Sequence, residues 1–371
     1  MNQQQKKEEL VTSRLQAMFE GRGFSRVRVN PFEEYRLYAD NLNFLGSRQL
    51  ITFTDMDGRL MALKPDVTLS IVRNMPPGEL KRFEKLYYID RVCRAADGEY
   101  KMLRQMGVEL IGPQDDFVNL EIADLALSCL GAVSDDYVLD ISHLGFVSGL
   151  LDSAPLNIGA KQKLMGALYS KSPHMVESIL DEAGVNGDMK RKFTVLTSLS
   201  GPILELLPQV KTLVSSPDMQ DGWQELDALG KLLAASGSAD RVNLDFSAVN
   251  DLDYYNGMIF NGYVKGVPNA VLSGGRYDLL MRKMGKKSGA IGFAVYLSEL
   301  NTYFKSGRGY DFDILLTYKP DCDYAALLEL AKGLAANGQS VRIERGGTDT
   351  RLTCQKHMCF GESGLEGEGK C

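Results

Sequence analysis

Apolar residues recur every three to four positions between residues 8 and 20, where Leu10, Val11, Leu15, Met18 and Phe19 fall on one side of a helical wheel. Gly21 and Gly23 end the run, so the pattern predicts an opening amphipathic helix. A short strand is expected at Ser25 to Val29, and Pro31 breaks the pattern before Phe32 to Tyr38. Leu50 to Leu63 reads as two strands turning at Asp57-Gly58, a dipeptide suited to the positive φ angles of a tight hairpin. Leu86 to Cys93 and Gln105 to Ile111 predict a second strand pair around a polar loop holding Asp97-Gly98, with a helix following near Phe117 to Leu130.

From about Pro155 to Asp240 the texture becomes helical: KQKLMGALYS, HMVESILDEAG and DGWQELDALGKLLAASG space their apolar residues three or four apart. Strand patterning returns at Val242 to Phe246, Asp253 to Val264 and Ala270 to Ser273. A helix at Tyr277 to Met284, a glycine-rich strand at Ala290 to Phe293 and a helix to about Phe304 follow. Beyond Gly307, DFDILLTY, a helix at Ala325 to Ala336 and a strand at Val341 to Ile343 outline a small α/β unit, whose last 25 residues are polar, weakly patterned and read as frayed. The expected fold class is α+β, an antiparallel sheet flanked by helices. Its core would come from residues 1–150 and 241–305, with a helical insertion at 151–240 and a C-terminal α/β unit at 306–371.

Charge narrows the partners. Lys and Arg number 42 against 48 Asp and Glu, a net of -6 over 371 residues, which gives no global attraction to polyphosphate or anionic lipid. The opening MNQQQKKEEL lacks the apolar centre of a secretory signal, and no stretch reaches the roughly 18 to 20 apolar residues of a membrane-crossing helix, so a cytoplasmic, membrane-free protein is expected. Six scattered cysteines, Cys93, Cys129, Cys322, Cys354, Cys359 and Cys371, are expected to be free thiols. Cys354-x-x-His357-x-Cys359 departs from the usual structural-zinc spacings, and no P-loop or dinucleotide fingerprint occurs, so neither metal nor cofactor is expected.

Three segments can carry chemistry. The strand Gln105 to Ile111 alternates, with Met106, Val108 and Leu110 on one face and Gln105, Gly107 and Glu109 on the other. A solvated edge strand explains this, and so does a pocket floor in which Gly107 lets a ligand approach the backbone. In Lys64-Pro65-Asp66-Val67-Thr68, Thr68 can cap the following helix, or Asp66 and Thr68 can converge on an ammonium group. Ser273-Gly274-Gly275-Arg276-Tyr277-Asp278 reads as a tight turn or as a wall close to a ligand. His143 is expected to be a packed or capping side chain, and Trp223 a core one.

Taken together, TFTDMDGRLMALKPDVT, LYYIDRVCRAADGEYKMLRQMGVELIG, the LDYYNG at 252–257, and LSGGRYDLL followed by GAIGFAV resemble class II aminoacyl-tRNA synthetases, the histidyl-tRNA synthetase subfamily in particular, over residues 8 to about 305. The resemblance implies that Asp66 and Thr68 grip an α-amino group, and that Gln105, Glu109 and Tyr255 help read the amino acid and its imidazole. Arg94, Tyr254, Gly274 and Gly275 are expected to complete the histidine-like pocket. It also exposes departures. The glutamate expected two residues after Arg94 is Ala96, the Glu-Arg pair of motif 3 is Ser298-Glu299, and the arginine before LDYY is Asn250. Stabilising charge on an α-phosphate is work for fixed guanidinium groups, so the synthetase chemistry is expected to be lost. The C-terminal unit is also smaller than the anticodon-binding domain of the histidyl enzymes, and no tRNA partner is expected.

This combination is similar to the regulatory subunits of ATP phosphoribosyltransferase, which carry a segment like the Ile141-Ser142-His143-Leu144-Gly145-Phe146 found here. That resemblance implies a non-catalytic chain with no catalytic residues and no cofactor. Its partner would be the short-form ATP phosphoribosyltransferase catalytic subunit of the first step of histidine biosynthesis, its ligand histidine, and its assembly a homodimer, paired through motif 1 with Pro31, inside a hetero-oligomer. The alternatives are an active histidyl-tRNA synthetase or synthetase-like ligase, and a stand-alone amino-acid sensor.

Overall fold

Val11, Leu15 and Phe19, spaced four apart, form the buried stripe of helix α1 (Gln3–Gly21). The helix ends as its glycines predict: Gly23 takes a φ of 79°, and the amide of Phe24 returns to the carbonyl of Phe19. The computed structural model describes residues 3–42, 45, 50–96, 98–247, 255–300, 303–304, 310–347 and 353–369. The chain forms two compact units, one of residues 11–300 and one of residues 301–371 with the first ten.

The larger unit begins with β1 (Ser25–Arg26), β2 (Phe32–Glu34), α2 (Tyr35–Ala39), β3 (Thr52–Thr54) and β4 (Leu60–Leu63). Strands β2, β4 and β3 make a small antiparallel sheet whose hairpin turns at Gly58, with a φ of 81°, while Oδ1 of Asp55 accepts from the amides of Asp57 and Arg59. After α3 (Thr68–Asn74) come β5 (Glu84–Ala96) and β6 (Glu99–Gly112), an antiparallel pair far longer than the sequence pattern marks. Then follow α4 (Asp116–Val133), β7 (Tyr137–His143) and α5 (Leu144–Ser153).

The next stretch holds α6 (Ile158–Tyr169), α7 (Pro173–Glu182), α8 (Gly187–Ser198), α9 (Ile203–Leu213) and α10 (Pro217–Ser236). It is not wholly helical, because β8 (Ser200–Pro202) pairs with β9 (Val242–Asp245) and extends the main sheet by one strand. β10 (Met258–Val264), β11 (Leu272–Arg276), α11 (Asp278–Lys283) and β12 (Gly289–Tyr296) complete the unit. The main sheet runs β1-β5-β6-β12-β11-β10-β7-β9-β8, antiparallel except where β1 joins β5 and β7 joins β9. β6 is therefore an interior strand between β5 and β12, buried from Gln105 onward, which removes the solvated-edge explanation of its alternation.

In the smaller unit, β13 (Phe312–Tyr318), α12 (Tyr324–Ala336), β14 (Val341–Arg345), β15 (Cys354–Gly361) and β16 (Gly364–Gly369) form a sheet of order β14-β13-β15-β16. Ile314, Leu316, Leu327, Ala331, Met358 and Phe360 are its core. The polar tail expected to fray thus contributes two strands: main-chain pairing of β15 to β13 and of β16 to β15 orders residues whose side-chain pattern is weak. Cys93, Cys129, Cys322 and Cys359 are free thiols. Cys354 is disulfide-bonded, against the expectation, and Cys371 lies outside the described residues.

Candidate functional site

Pleating sends Gln105, Gly107 and Glu109 to one face of β6, and the register continues that row across the sheet, with Gly107 opposite Tyr88 on β5 and Ala294 on β12, and Ala294 opposite Ser273 on β11. Over this row lies a cavity of about 120 Å³, lined by Asp66, Thr68, Tyr88, Arg94, Gln105, Glu109, Tyr255, Ser273, Tyr277, Gly292, Phe293, Ala294 and Tyr296. Six of the nine residues expected in a ligand site therefore meet in one pocket: Asp66, Thr68, Arg94, Gln105, Glu109 and Tyr255. Tyr254, like Asn250, lies outside the described residues.

Gly274 and Gly275 form neither a turn nor a lining of this cavity. Both are inside β11, where a Cβ on Gly274 would lie 2.2 Å from the carbonyl oxygen of Gly292, and one on Gly275 would lie 2.6 Å from that of Met258. They are small because neighbouring strands pass too close for a side chain. Gly107 answers to Tyr88 rather than to a ligand, since its Cβ would fall 2.4 Å from the phenol oxygen.

Glu109, 2% exposed, is the centre of the site. Thr68 donates its hydroxyl to Oε1 and Tyr277 donates its phenol to Oε2, each at 2.6 Å. Burial raises the Glu109 pKa to about 8 against these two donors, and the charge of Asp66 adds to the rise. The carboxyl leans over β12, where Gly292 leaves the room: a Cβ there would meet Oε2 at 2.1 Å. Gln105, also 2% exposed, donates from Nε2 to the Tyr88 phenol over 3.2 Å, and its buried Oε1 accepts from no protein group. Gln105 lines the cavity, so a ligand there can supply the donor that this buried acceptor lacks.

Asp66, not Thr68, takes a first-turn amide of α3: its Oδ1 accepts from the amide of Leu69 at 2.8 Å, while Thr68, already inside the helix, turns its hydroxyl to Glu109. Burial raises the Asp66 pKa, opposed by the Leu69 amide and the Arg94 guanidinium. Arg94 Nε donates to the carbonyl of Pro65 at 3.2 Å. Lys64, buried beneath this corner, pairs with Asp90 at 2.5 Å and its backbone ties β4 to β5 through the amide of Cys93. The pocket presents the Asp66 carboxyl, the Arg94 guanidinium and the largely protonated Glu109 carboxyl, a lining matched to a zwitterion with a further N–H donor. Among the described lining residues Arg94 is the only cation.

Tyr88 and Gly292 are not singled out in the sequence and reach the site only through cross-strand register, whereas Ser273 and Tyr277 bring the segment 273–278 to the pocket as the wall reading has it. His143 has the capping role expected of it, its Nδ1 accepting from the amide of Phe146 at 3.2 Å. Trp223 donates to the carbonyl of Leu207, with Lys211 over its ring. Among the described residues no group of three or more His, Cys, Asp or Glu is arranged to hold a metal, and no helix is long and apolar enough to cross a membrane.

The profile of the histidyl-tRNA synthetase family matches residues 1–300. The chain belongs to the histidyl-tRNA synthetase family. Within that family it is 26% identical to an ATP phosphoribosyltransferase regulatory subunit of Oceanobacillus iheyensis, over 90% of this chain and 84% of the relative. The crystal structure of an ATP phosphoribosyltransferase regulatory subunit/histidyl-tRNA synthetase from Bacillus halodurans superposes with a TM-score of 0.75 and 25% identity, covering 93% of this chain and 90% of that one. The ATP phosphoribosyl transferase (HisG:HisZ) complex of Thermotoga maritima, with a TM-score of 0.61 over 77% of this chain and 96% of that one, is similar at 15% identity and so speaks for the fold alone.

The nine-stranded sheet carries segments that resemble the family's motifs. Where histidyl-tRNA synthetases carry Glu-Arg in motif 3, Ser298 accepts the amide of Arg104 at 2.8 Å and Glu299 accepts from Asn269 at 2.9 Å.

Proposed function

We propose that this chain is a non-catalytic regulatory subunit of ATP phosphoribosyltransferase, assembling with the short-form catalytic subunit at the first step of histidine biosynthesis and binding histidine in the pocket between Asp66 and Glu109. One observation carries the reading: the pocket keeps the acceptors for an amino acid while its described lining holds a single guanidinium, Arg94, and Glu299 stands where motif 3 would supply another. Curated relatives of near-full coverage named as regulatory subunits support it.

In this reading Asp66 and the orphaned Oε1 of Gln105 take the ammonium, Arg94 takes the carboxylate, and Glu109 with Tyr255 meets the ring nitrogens. Histidine then acts by population: it shifts the assembly only as far as it binds one state more tightly than another. Residues 1–150 and 241–305 are read as the synthetase-like core, 151–240 as an insertion and 306–371 as a separate C-terminal unit without a role in reading tRNA. The assembly unit is a homodimer inside a hetero-oligomer.

The test is to mix the purified chain with a short-form catalytic subunit and titrate histidine. The expected result is stimulated phosphoribosyl transfer that histidine suppresses, with suppression weakened by Asp66→Asn. No stimulation at saturating chain overturns the proposal.

A further inference from the structure

Two pocket tyrosines arrive from different segments and are both anchored on Arg276. Tyr277 follows it directly in the chain, and the carbonyl of Arg276 accepts the amide of Asn256, the residue after Tyr255, at 3.0 Å. Gly257 packs on the Arg276 side chain, where a Cβ would lie 3.0 Å from Cδ. The position of this arginine therefore sets both walls of the cavity, and through the Tyr277 phenol the carboxyl of Glu109.

The guanidinium of Arg276, 9% exposed, is held from outside the pocket. Nη1 donates to both carboxylate oxygens of Glu225, at 3.1 and 3.2 Å, and Nη2 donates to Oδ1 of Asn119 on α4 at 3.1 Å. Glu225 lies on α10, in the segment between β7 and β9. Its Oε2 also meets Nε2 of His143 at 3.3 Å, and because Nδ1 of that ring accepts from Phe146, Nε2 is the nitrogen that carries the proton. Burial works to raise the Glu225 pKa, but His143 and Arg276 hold the carboxyl below its usual range.

The contact has little slack. One turn before Glu225, Gly222 brings α10 so close to His143 that a Cβ would lie 2.6 Å from Nδ1, and at Gly149 on α5 a Cβ would lie 2.9 Å from the Met219 side chain. A close-packed, hydrogen-bonded junction passes a displacement of one partner to the other instead of absorbing it.

We infer that Glu225 is a positioning residue for the pocket, and that the Glu225–Arg276 pair couples histidine occupancy to helix α10. The inference rests on the histidine reading of the pocket and adds the route by which occupancy leaves it. A ligand that engages Glu109 and Tyr255 tightens Tyr277 and Asn256 on Arg276, and the guanidinium carries that restraint to Glu225. By linkage, whatever binds and steadies α10 strengthens histidine binding by the same factor.

The test is hydrogen exchange on the full chain with and without saturating L-histidine, in wild type, Glu225→Gln and Glu225→Asp. In wild type, histidine is expected to slow exchange at least fivefold both at the pocket (residues 66–72 and 105–111) and in α10 (residues 217–236). Glu225→Gln removes the charge, and Glu225→Asp keeps it but withdraws it by one methylene. At saturation either variant is expected to keep the pocket protection and lose that of α10, an uncoupling that a purely structural ion pair would not produce. If the pocket is protected and α10 is not, in wild type, or if α10 stays protected in a variant, the coupling is wrong and the histidine reading stands. If histidine protects neither region in wild type, that reading fails and the coupling with it.

Discussion

The phenol of Tyr277 donates to Oε2 of Glu109 over 2.6 Å, joining the residue at the start of α11 to the middle of β6 inside the pocket. Both groups are buried, and burial raises the Tyr277 pKa well above 10, so the phenol remains a donor throughout the working range. Tyr277→Phe deletes that donor and leaves Oε2 unsatisfied. Urea unfolding is expected to show a loss of about 1–3 kcal/mol, with histidine affinity falling in parallel. An unchanged midpoint means that the hydroxyl is dispensable.

The pH dependence of stability follows from Glu109. Its folded pKa of about 8 stands above the ordinary value of 4.5, so between those limits the fold retains a proton that the unfolded chain has released. Unfolding then releases a proton, and stability falls as pH rises, by up to about 1.4 kcal/mol per pH unit. The contribution is complete below about pH 4.5 and gone above about pH 8. Glu109→Gln, neutral at every pH, is expected to flatten the curve. A wild type and variant that differ by a constant from pH 5 to pH 9 in urea titrations would contradict this.

Ligand binding has the opposite dependence. The N–H of a neutral imidazole donated to Glu109 favours its ionised form, so histidine binding near neutral pH is expected to release the Glu109 proton to solvent. Calorimetry in buffers of different ionisation enthalpy measures it, and the release should vanish in Glu109→Gln.

Gly292 is a sharper probe of shape. A methyl group there meets the Glu109 carboxylate at 2.1 Å and the Val108 carbonyl at 2.3 Å, and the carbonyl belongs to a paired strand that cannot withdraw. Gly292→Ala is expected to cost about 1–3 kcal/mol and to weaken histidine at least tenfold, because Glu109 must leave the position in which Thr68 and Tyr277 hold it. Retained affinity in a folded variant would show that Glu109 has no part in binding.

How much of this was legible beforehand depends on the range of each interaction. The hairpin at Asp57-Gly58, α1 and the alternation that puts Gln105 and Glu109 on one face are local, set by backbone geometry and period, and they stand in the structure, except that Leu10 of the α1 stripe is exposed. Tyr88 and Gly292 join the site through strand register, which no single segment encodes. Strand β15 pairs with β13 and β16 with β15, so β16 is ordered by main-chain pairing that its glycine- and glutamate-rich sequence does not signal, while Met358 and Phe360 of β15 are too few to mark a strand by themselves. The Glu225–Arg276 pair spans 51 residues, and neither side chain has a local signal that names the other.

The remaining prediction concerns chemistry. Adenylate formation builds charge on an α-phosphate in a site from which water is excluded, and each missing preorganised donor lowers the rate by about 100-fold to 1000-fold. Here Arg94 also serves the Pro65 carbonyl, and motif 3 supplies Glu299, whose negative charge opposes the nucleotide where a guanidinium would attract it. With several of these donors absent, ATP–pyrophosphate exchange with histidine is expected to stay at background. Glu299→Arg alone is expected not to restore it, since Ser298 would still stand in place of the motif 3 glutamate and Asn250 in place of the arginine before LDYY. Exchange well above background in the unmodified chain would overturn the non-catalytic reading and favour a working synthetase, whatever its effect on a phosphoribosyltransferase.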